Sequence, residues 1–309
     1  MSSVLTVTFS PALDKSASTT KLVPEKKLRC SEPRFEPGGG GINVARAMRR
    51  LGLTATALYP SGGHTGKIFN QLLEKENVPA LCIETKEDLR ENMVILETST
   101  NRQFRFVMPA VALSGDEWNR VLAAIESFQR PDFIVISGSL PANYPVDLFV
   151  RISKLAARNG AKVIVDASGE PLKLAVKAGV YLIKPNLSEL TMLANKTELR
   201  LDEIATEARK IIETSSCEII MISLGEEGAM LVTPTESKLI VPPRVVVKST
   251  VGAGDSMLAG MVTALSLGYP LIDAAKFGVA CGTAATMNPG TELCHKEDAD
   301  KLFAQLRNS

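Results

Sequence analysis

The sequence predicts an α/β fold: a parallel sheet covered by helices on both faces, with a second, smaller sheet set off from it. Two observations carry this. From about residue 130 onward, short apolar runs alternate with helical patterns. Two earlier stretches, 15–36 and 91–108, read as short strands with no helix between them.

Taken in order, the first of those stretches supplies strands of the small sheet. In the second, Asn92-Met-Val-Ile-Leu-Glu97 and Gln103-Phe-Arg-Phe-Val107 flank the polar turn Thr98 to Arg102, which predicts a hairpin. Next comes a helix over Asp116 to Arg130, where Trp118, Val121, Leu122, Ile125 and Phe128 share one face. The runs Asp132 to Ile136, Lys162 to Asp166, Val180 to Lys184 and Glu218 to Leu224 have the length and β-branched content of buried strands. Phe149, Ile152, Leu155 and Ala156 mark a helix between the first two. Gly228 to Val247 reads as further β-structure. Ser139, Asp166, Lys184 and Ser223 stand where strands end, which is where open α/β sheets bind ligands.

The chain has 309 residues, of which 45% are hydrophobic, enough for a large buried core. Its 35 basic and 34 acidic residues leave a net charge of +1, which argues against a nucleic-acid partner. The N-terminus does not read as a signal peptide, and no apolar run is long enough to span a bilayer, so the cytoplasm is the expected compartment and no membrane partner is expected. Five scattered cysteines without C-x-x-C spacing imply neither a disulfide framework nor a zinc site and are expected to be reduced, mostly packed thiols.

Two glycine-rich segments carry the chemistry. In Ser249-Thr-Val-Gly-Ala-Gly-Asp255, glycines lead into an apolar helix with an acid at its start. Free N–H groups and the positive end of the dipole at a helix start suit phosphate, and Asp255 could take a proton from an attacking hydroxyl. The plainer reading is a glycine loop with Asp255 as a helix cap. In Pro37-Gly-Gly-Gly-Gly-Ile-Asn43-Val-Ala-Arg46, the run of four glycines is expected to admit a ligand close to the backbone rather than to serve packing, with Asn43 offering donor and acceptor to hydroxyls. A flexible turn is the alternative. The dinucleotide fingerprint does not apply, since its spacing is wrong and no strand is expected immediately before the run. There is no Walker A sequence either.

In this order and separation, the two segments resemble the two signatures of the ribokinase family, also called the phosphofructokinase B family, and the resemblance covers essentially the whole chain. It implies one Rossmann-like, three-layer α/β/α ribokinase-like domain over 1–309. It also implies a β-sheet lid formed by about 15–36 and 91–108, and a homodimer joined through that lid. It implies ATP as phosphoryl donor, magnesium, and a monovalent cation, usually potassium. Asn186-Leu-Ser-Glu189 matches the family's Asn-x-x-Glu motif, which organises magnesium, here through water; a loop Asn capping a helix is the bland alternative.

The Ser10-Pro-Ala-Leu-Asp14 segment is typical of the branch that phosphorylates sugar phosphates. Lys26 to Cys30 and the unbroken run Gly38 to Gly41 resemble the members that act on the 1-hydroxyl of fructose 6-phosphate; others usually carry lysine where Gly40 stands. Sister substrates, tagatose 6-phosphate or fructose 1-phosphate, are the alternative, and a non-catalytic sugar or nucleotide sensor a remote one. By this resemblance Asp255 is the base, assisted by Gly252, Ala253 and Gly254. Asp14, Asn43, Gly38 and Gly39 hold sugar hydroxyls, while Lys27, Arg90 and Ser139 grip the sugar's phosphate, Arg90 offering a bidentate fork. Lys184 contacts the ATP phosphates, Ser223 and Gly225 border the nucleotide, and Ala284 to Gly290, including Asn288, closes over it. Carbonyls near Ser249, Val251 and Asn288 form the cation site; Glu292 departs from the pattern, standing where the resembled members have arginine.

Overall fold

The computed structural model describes residues 3–307. Its strands and helices run β1 (Val4–Val7), β2 (Ala12–Thr19), β3 (Arg34–Gly38), α1 (Gly40–Arg50), β4 (Thr56–Gly62), α2 (Gly63–Lys75), β5 (Ala80–Thr85), β6 (Glu91–Glu97), β7 (Arg102–Phe106) and α3 (Gly115–Ser127). They continue with β8 (Phe133–Ser137), α4 (Leu148–Asn159), β9 (Lys162–Asp166), α5 (Gly169–Ala178), β10 (Leu182–Ile183), α6 (Leu187–Leu193), α7 (Ile204–Thr214) and β11 (Ile219–Ser223). The last are β12 (Ala229–Val232), β13 (Ser237–Ile240), α8 (Ala253–Ser266), α9 (Leu271–Thr286) and α10 (Lys296–Arg307).

Nine strands form the main sheet in the order β13-β12-β11-β10-β9-β8-β1-β4-β5. From β11 to β5 every pairing is parallel, while β12 and β13 add an antiparallel edge. Alternation along the strands splits the apolar side chains between two faces. Val135, Ile164 and Met221 pack with α1, α2, α8, α9 and α10, whereas Ile134, Ile136, Val165 and Ile222 pack with α3 to α7. The result is three layers, helix, sheet and helix. The sequence leads from β1 outward through β4 to β5 and then returns to β8 on the other side of β1. A crevice therefore opens between the carboxyl ends of β1 and β8, the switch point at which such sheets bind ligands.

The second sheet has four strands, ordered β3-β2-β6-β7. The hairpin of β6 and β7 is antiparallel, as its polar turn predicts. Four crossings join the two sheets: Thr8–Pro11 between β1 and β2, Gly39 between β3 and α1, residues 86–90 between β5 and β6, and residues 107–114 between β7 and α3.

Two expectations need correction. Of Gly228–Val247, only β12 and β13 are strand; from Val241 the chain is irregular, as Pro242 and Pro243 remove two backbone donors. A strand, β3, does directly precede the glycine run, but it belongs to the antiparallel part of the second sheet and forms no βαβ unit, so the dinucleotide fingerprint still fails. The cysteines are free and mostly packed, as expected: Cys217, Cys281 and Cys294 are buried, while Cys30 and Cys82 are exposed. No helix among the described residues is long and apolar enough to cross a membrane.

Candidate active site

The two glycine segments, far apart in sequence, meet at the crevice. Gly252 caps the start of α8; its φ of 75° is left-handed, and a Cβ there would lie 2.9 Å from Leu293. That turn sets Asp255 in the first helical turn. Its Oδ2 accepts a hydrogen bond from Asn43 Nδ2 of α1 at 2.9 Å. Asp255 is only partly exposed. Burial, reinforced by the negative charge of Asp166, pushes its carboxyl up to about 6, against the opposing pull of Asn43 and Lys184.

Lys184 follows β10, and its side chain is almost wholly buried. Burial opposes its charge, but the carboxylate of Asp166, 3.1 Å from Nζ, outweighs it with help from Asp255 and Glu189, and the ammonium's pKa is raised. A Cβ at Gly254 would stand 3.3 Å from Lys184 Nζ, so the glycine leaves the cation open to the helix start. A positive side chain and the start of α8, where the N–H of Ala253 donates to the Thr250 carbonyl and those of Gly254 and Asp255 are left over among the described residues, thus stand together, with a carboxylate of high pKa beside them.

On the other side, Asp14 of β2 accepts from Asn92 Nδ2 at 2.9 Å. Burial raises the pKa of Asp14 against the pull of Asn92 and Arg90. A Cβ on Gly38 would fall 2.1 Å from Asp14 Oδ2. Gly40 is equally confined, its Cβ position 2.3 Å from Ser137 Oγ, and that of Gly41 is 2.6 Å from Thr8 Oγ1. Gly39 has φ 118° and would meet Thr8. The expectation that these glycines do not serve packing is therefore wrong. They let the start of α1 press into the ends of β1 and β8, and through them the protein's own Asp14 fits.

Arg90 and Ser139 come together, Nη2 donating to Ser139 Oγ at 3.2 Å. Arg90 also donates to the carbonyls of Pro11 (3.3 Å), Ser10 (2.9 Å) and Met108 (2.7 Å). Four donations from five N–H groups leave no free fork, so the bidentate phosphate grip expected of Arg90 is replaced by a structural clamp that still carries charge into the site. Lys27 lies exposed in the loop between β2 and β3, and no hydrogen bond or ion pair ties it to a neighbour among the described residues.

Asn186 caps α6 in a capping box, its side chain accepting from Glu189 N (2.9 Å) and Glu189 Oε2 accepting from Asn186 N (2.8 Å). Glu189 is half-buried, and burial together with Asp166 raises its pKa. Ser223 closes β11 beside Asn186, its N–H bonded to the Pro185 carbonyl, and Gly225 follows at the surface. Ser249 Oγ donates to the Gly290 carbonyl at 2.6 Å and accepts from Val251 N at 3.2 Å, which ties the start of α8 to the loop after α9. Asn288 turns its amide inward to the Leu293 carbonyl at 3.0 Å. Ala284 to Thr286 still belong to α9, so only the residues beyond them are loop.

Sequence reasoning missed three groups. Buried Arg46 bonds Asn43 and Glu76; Asn92 orients Asp14; and Thr291 donates to Glu36 of β3, linking the second sheet to the loop after α9. The one visible signal was Arg46 itself, three residues after Asn43 and hence on the same helix face.

Fold and site together define an enzyme that passes a phosphoryl group from a nucleotide to an alcohol. A family model described as pfkB family carbohydrate kinase matches residues 9–298, and the chain belongs to that family. It is 41% identical over 304 residues to the ATP-dependent 6-phosphofructokinase isozyme 2 of Escherichia coli, covering 98% of each chain. It resembles two crystal structures of phosphofructokinase-2 from the same organism. The complex with potassium matches at TM-score 0.96 and 40% identity, and the complex with fructose 6-phosphate at 0.94 and 39%. In both, 99% of this chain and 100% of the other are covered.

Proposed function

We propose that the protein transfers the γ-phosphoryl group of ATP to the 1-hydroxyl of fructose 6-phosphate, giving fructose 1,6-bisphosphate. The observation that carries the reading is the Asn43–Asp255 bond, which sets a carboxylate of raised pKa at a helix start within a family of carbohydrate kinases. The 1-hydroxyl lies against Asp255, between Asn43 and Asp14, with the backbone of Gly38 and Gly39 beneath the sugar. Asp255 takes the hydroxyl proton as oxygen attacks phosphorus, and a pKa near 6 makes it a base at neutral pH. Lys184 and the amides of Gly252, Ala253 and Gly254 meet the charge that spreads over the transferring group.

Ser223, Gly225 and Asn288 border the nucleotide. The oxygen donors of Asn186 and Glu189 suit magnesium held through water, and a bound magnesium ion neutralises the phosphates that these residues face. The carbonyls of Ser249, Val251 and Asn288 accept no hydrogen bond among the described residues, and an all-oxygen set of this kind suits potassium. Arg90 and Ser139 supply polarity at the sugar's phosphate end, with Lys27 reaching it from the loop between β2 and β3. The second sheet acts as a lid over the sugar. Its exposed Met93, Phe104 and Phe106 are the face through which two copies join.

A coupled assay of ATP turnover with magnesium and potassium tests the reading across fructose 6-phosphate, tagatose 6-phosphate, fructose 1-phosphate, fructose and ribose. Fructose 6-phosphate is expected to lead in kcat/KM by about tenfold or more, roughly 1.4 kcal/mol of transition-state discrimination. A lead by another sugar would overturn the substrate assignment and leave the role of Asp255 standing. Absence of turnover with every sugar would favour a sensor.

A further inference from the structure

Arg46 is buried in α1 at 3% exposure, and its guanidinium is occupied on all edges. Nε donates to Glu76 Oε2 at 2.8 Å and Nη2 to Glu76 Oε1 at 2.7 Å. Nη1 donates to the Pro37 carbonyl at 2.9 Å and to Asn43 Oδ1 at 3.3 Å. Glu36 Oε1 stands 3.8 Å from Nη2. Buried ion pairs are seldom needed for stability, since apolar side chains of the same volume usually serve as well. What this one adds is its bond to Asn43.

A side-chain amide has a donor end and an acceptor end of nearly the same shape, so some neighbour must decide which end faces the base. A guanidinium has only donors. Holding Asn43 Oδ1, Arg46 leaves Nδ2 to face Asp255 Oδ2 at 2.9 Å. With the amide turned over, its NH₂ would oppose the N–H of Arg46 and its oxygen would oppose the carboxylate, so two bonds would become two repulsions. Lysine could not hold this arrangement, because the bidentate grip on Glu76 and the two Nη1 bonds need a planar fork.

We propose that Arg46, anchored by Glu76, is a positioning residue for phosphoryl transfer: it fixes the orientation of the Asn43 amide and so the seat of the Asp255 carboxylate. This rests on the reading of Asp255 as the base. The charged groups facing Asp255 are Asp166 at the end of β9, Lys184 after β10 and Asp14 of β2; of these only Asp14 also feels the charge of Arg46, which Arg46→Lys retains and Arg46→Met removes.

The test compares Arg46→Met, Arg46→Lys and Glu76→Gln with the parent enzyme in steady-state kinetics from about pH 5 to 9, with Asp255→Asn alongside. Arg46→Met is expected to lower kcat by about ten- to a hundredfold, with the KM for ATP within about twofold. Its acid limb should move to higher pH, because loss of the Asn43 donation removes a bond that favours charged Asp255. Arg46→Lys should not restore the parent profile. Glu76→Gln should shift the limb in the same direction by less. The Glu76 side chain is about one-third exposed, so this variant keeps the question open to measurement should Arg46→Met fail to fold. Folded variants with an unmoved acid limb, or with a change confined to KM, would overturn the positioning role while an inactive Asp255→Asn upheld the base. Near-normal turnover of Asp255→Asn would remove the base and the positioning role together.

Discussion

Two helices of this protein begin in glycines, and the glycines do opposite things. At the start of α1 the space a Cβ would need is filled by the protein itself: Asp14 against Gly38, Ser137 against Gly40, Thr8 against Gly41. At the start of α8 only Gly252 is crowded, by the side chain of Leu293 at 2.9 Å. The nearest atom to a Cβ on Gly254 is the tip of Lys184, a flexible side chain, at 3.3 Å. The first run is a seam between layers and the second a mouth. Runs that look alike in sequence are told apart only by what stands opposite them.

The strongest way to break this contrast is at the mouth. Asp255→Asn should lower kcat about a thousandfold while ATP binding, followed by calorimetry, survives. It should also raise the melting temperature near neutral pH. The folded state raises the pKa of Asp255 from 3.8 to about 6, so the cost of its buried charge is full above pH 6. That cost, on the order of a few kcal/mol, is relieved as pH falls from 6 toward 4. The stability gap between variant and parent should close over the same window. A gap that is constant with pH would show that the carboxylate is not the titrating group.

The seam is probed next. Gly40→Ala drives a methyl group into Ser137 Oγ and the Gly138 amide, and should cost about 1–3 kcal/mol in thermal or urea unfolding. Gly254→Ala should leave stability within about 0.5 kcal/mol and raise the KM for ATP instead. If both variants chiefly lose stability, the two runs are alike after all. The smallest effect belongs to Lys27→Ala, expected to raise the KM for the sugar phosphate by about threefold or more with little change for ATP, and less so at high salt. An unchanged sugar KM would put Lys27 outside the site.

The parallel sheet was legible in the sequence because its buried strands are continuous apolar runs, and their polar ends marked the crevice at Asp166, Lys184 and Ser223. Asp255 and Asn43 could be singled out because glycines framed them. What stayed hidden depends on distance in space rather than on residue type. Nothing in the run Gly38 to Gly41 says that Asp14, across a strand pairing, fills its concavity. Nothing near Arg90 says that backbone carbonyls occupy most of its donors. Arg46 looked like an ordinary helix arginine until Glu76, thirty residues on, closed over it.

The two clamped arginines also bear on how the chain can vary. Arg90 ties the β1–β2 crossing at Ser10 and Pro11, and the β7–α3 crossing at Met108, from its own seat in the β5–β6 crossing. Arg46 ties the end of β3 at Pro37, two residues before the remaining crossing at Gly39. Every strap between the sheets is therefore riveted at its root. Apart from Lys27, the outer loops, residues 20–33 and 98–101, hold none of the side chains assigned to the site, so their length and composition can drift without shifting Asp14 or Asn43. Such a molecule keeps its chemistry fixed at the rivets and leaves the far edge of the second sheet free to diversify.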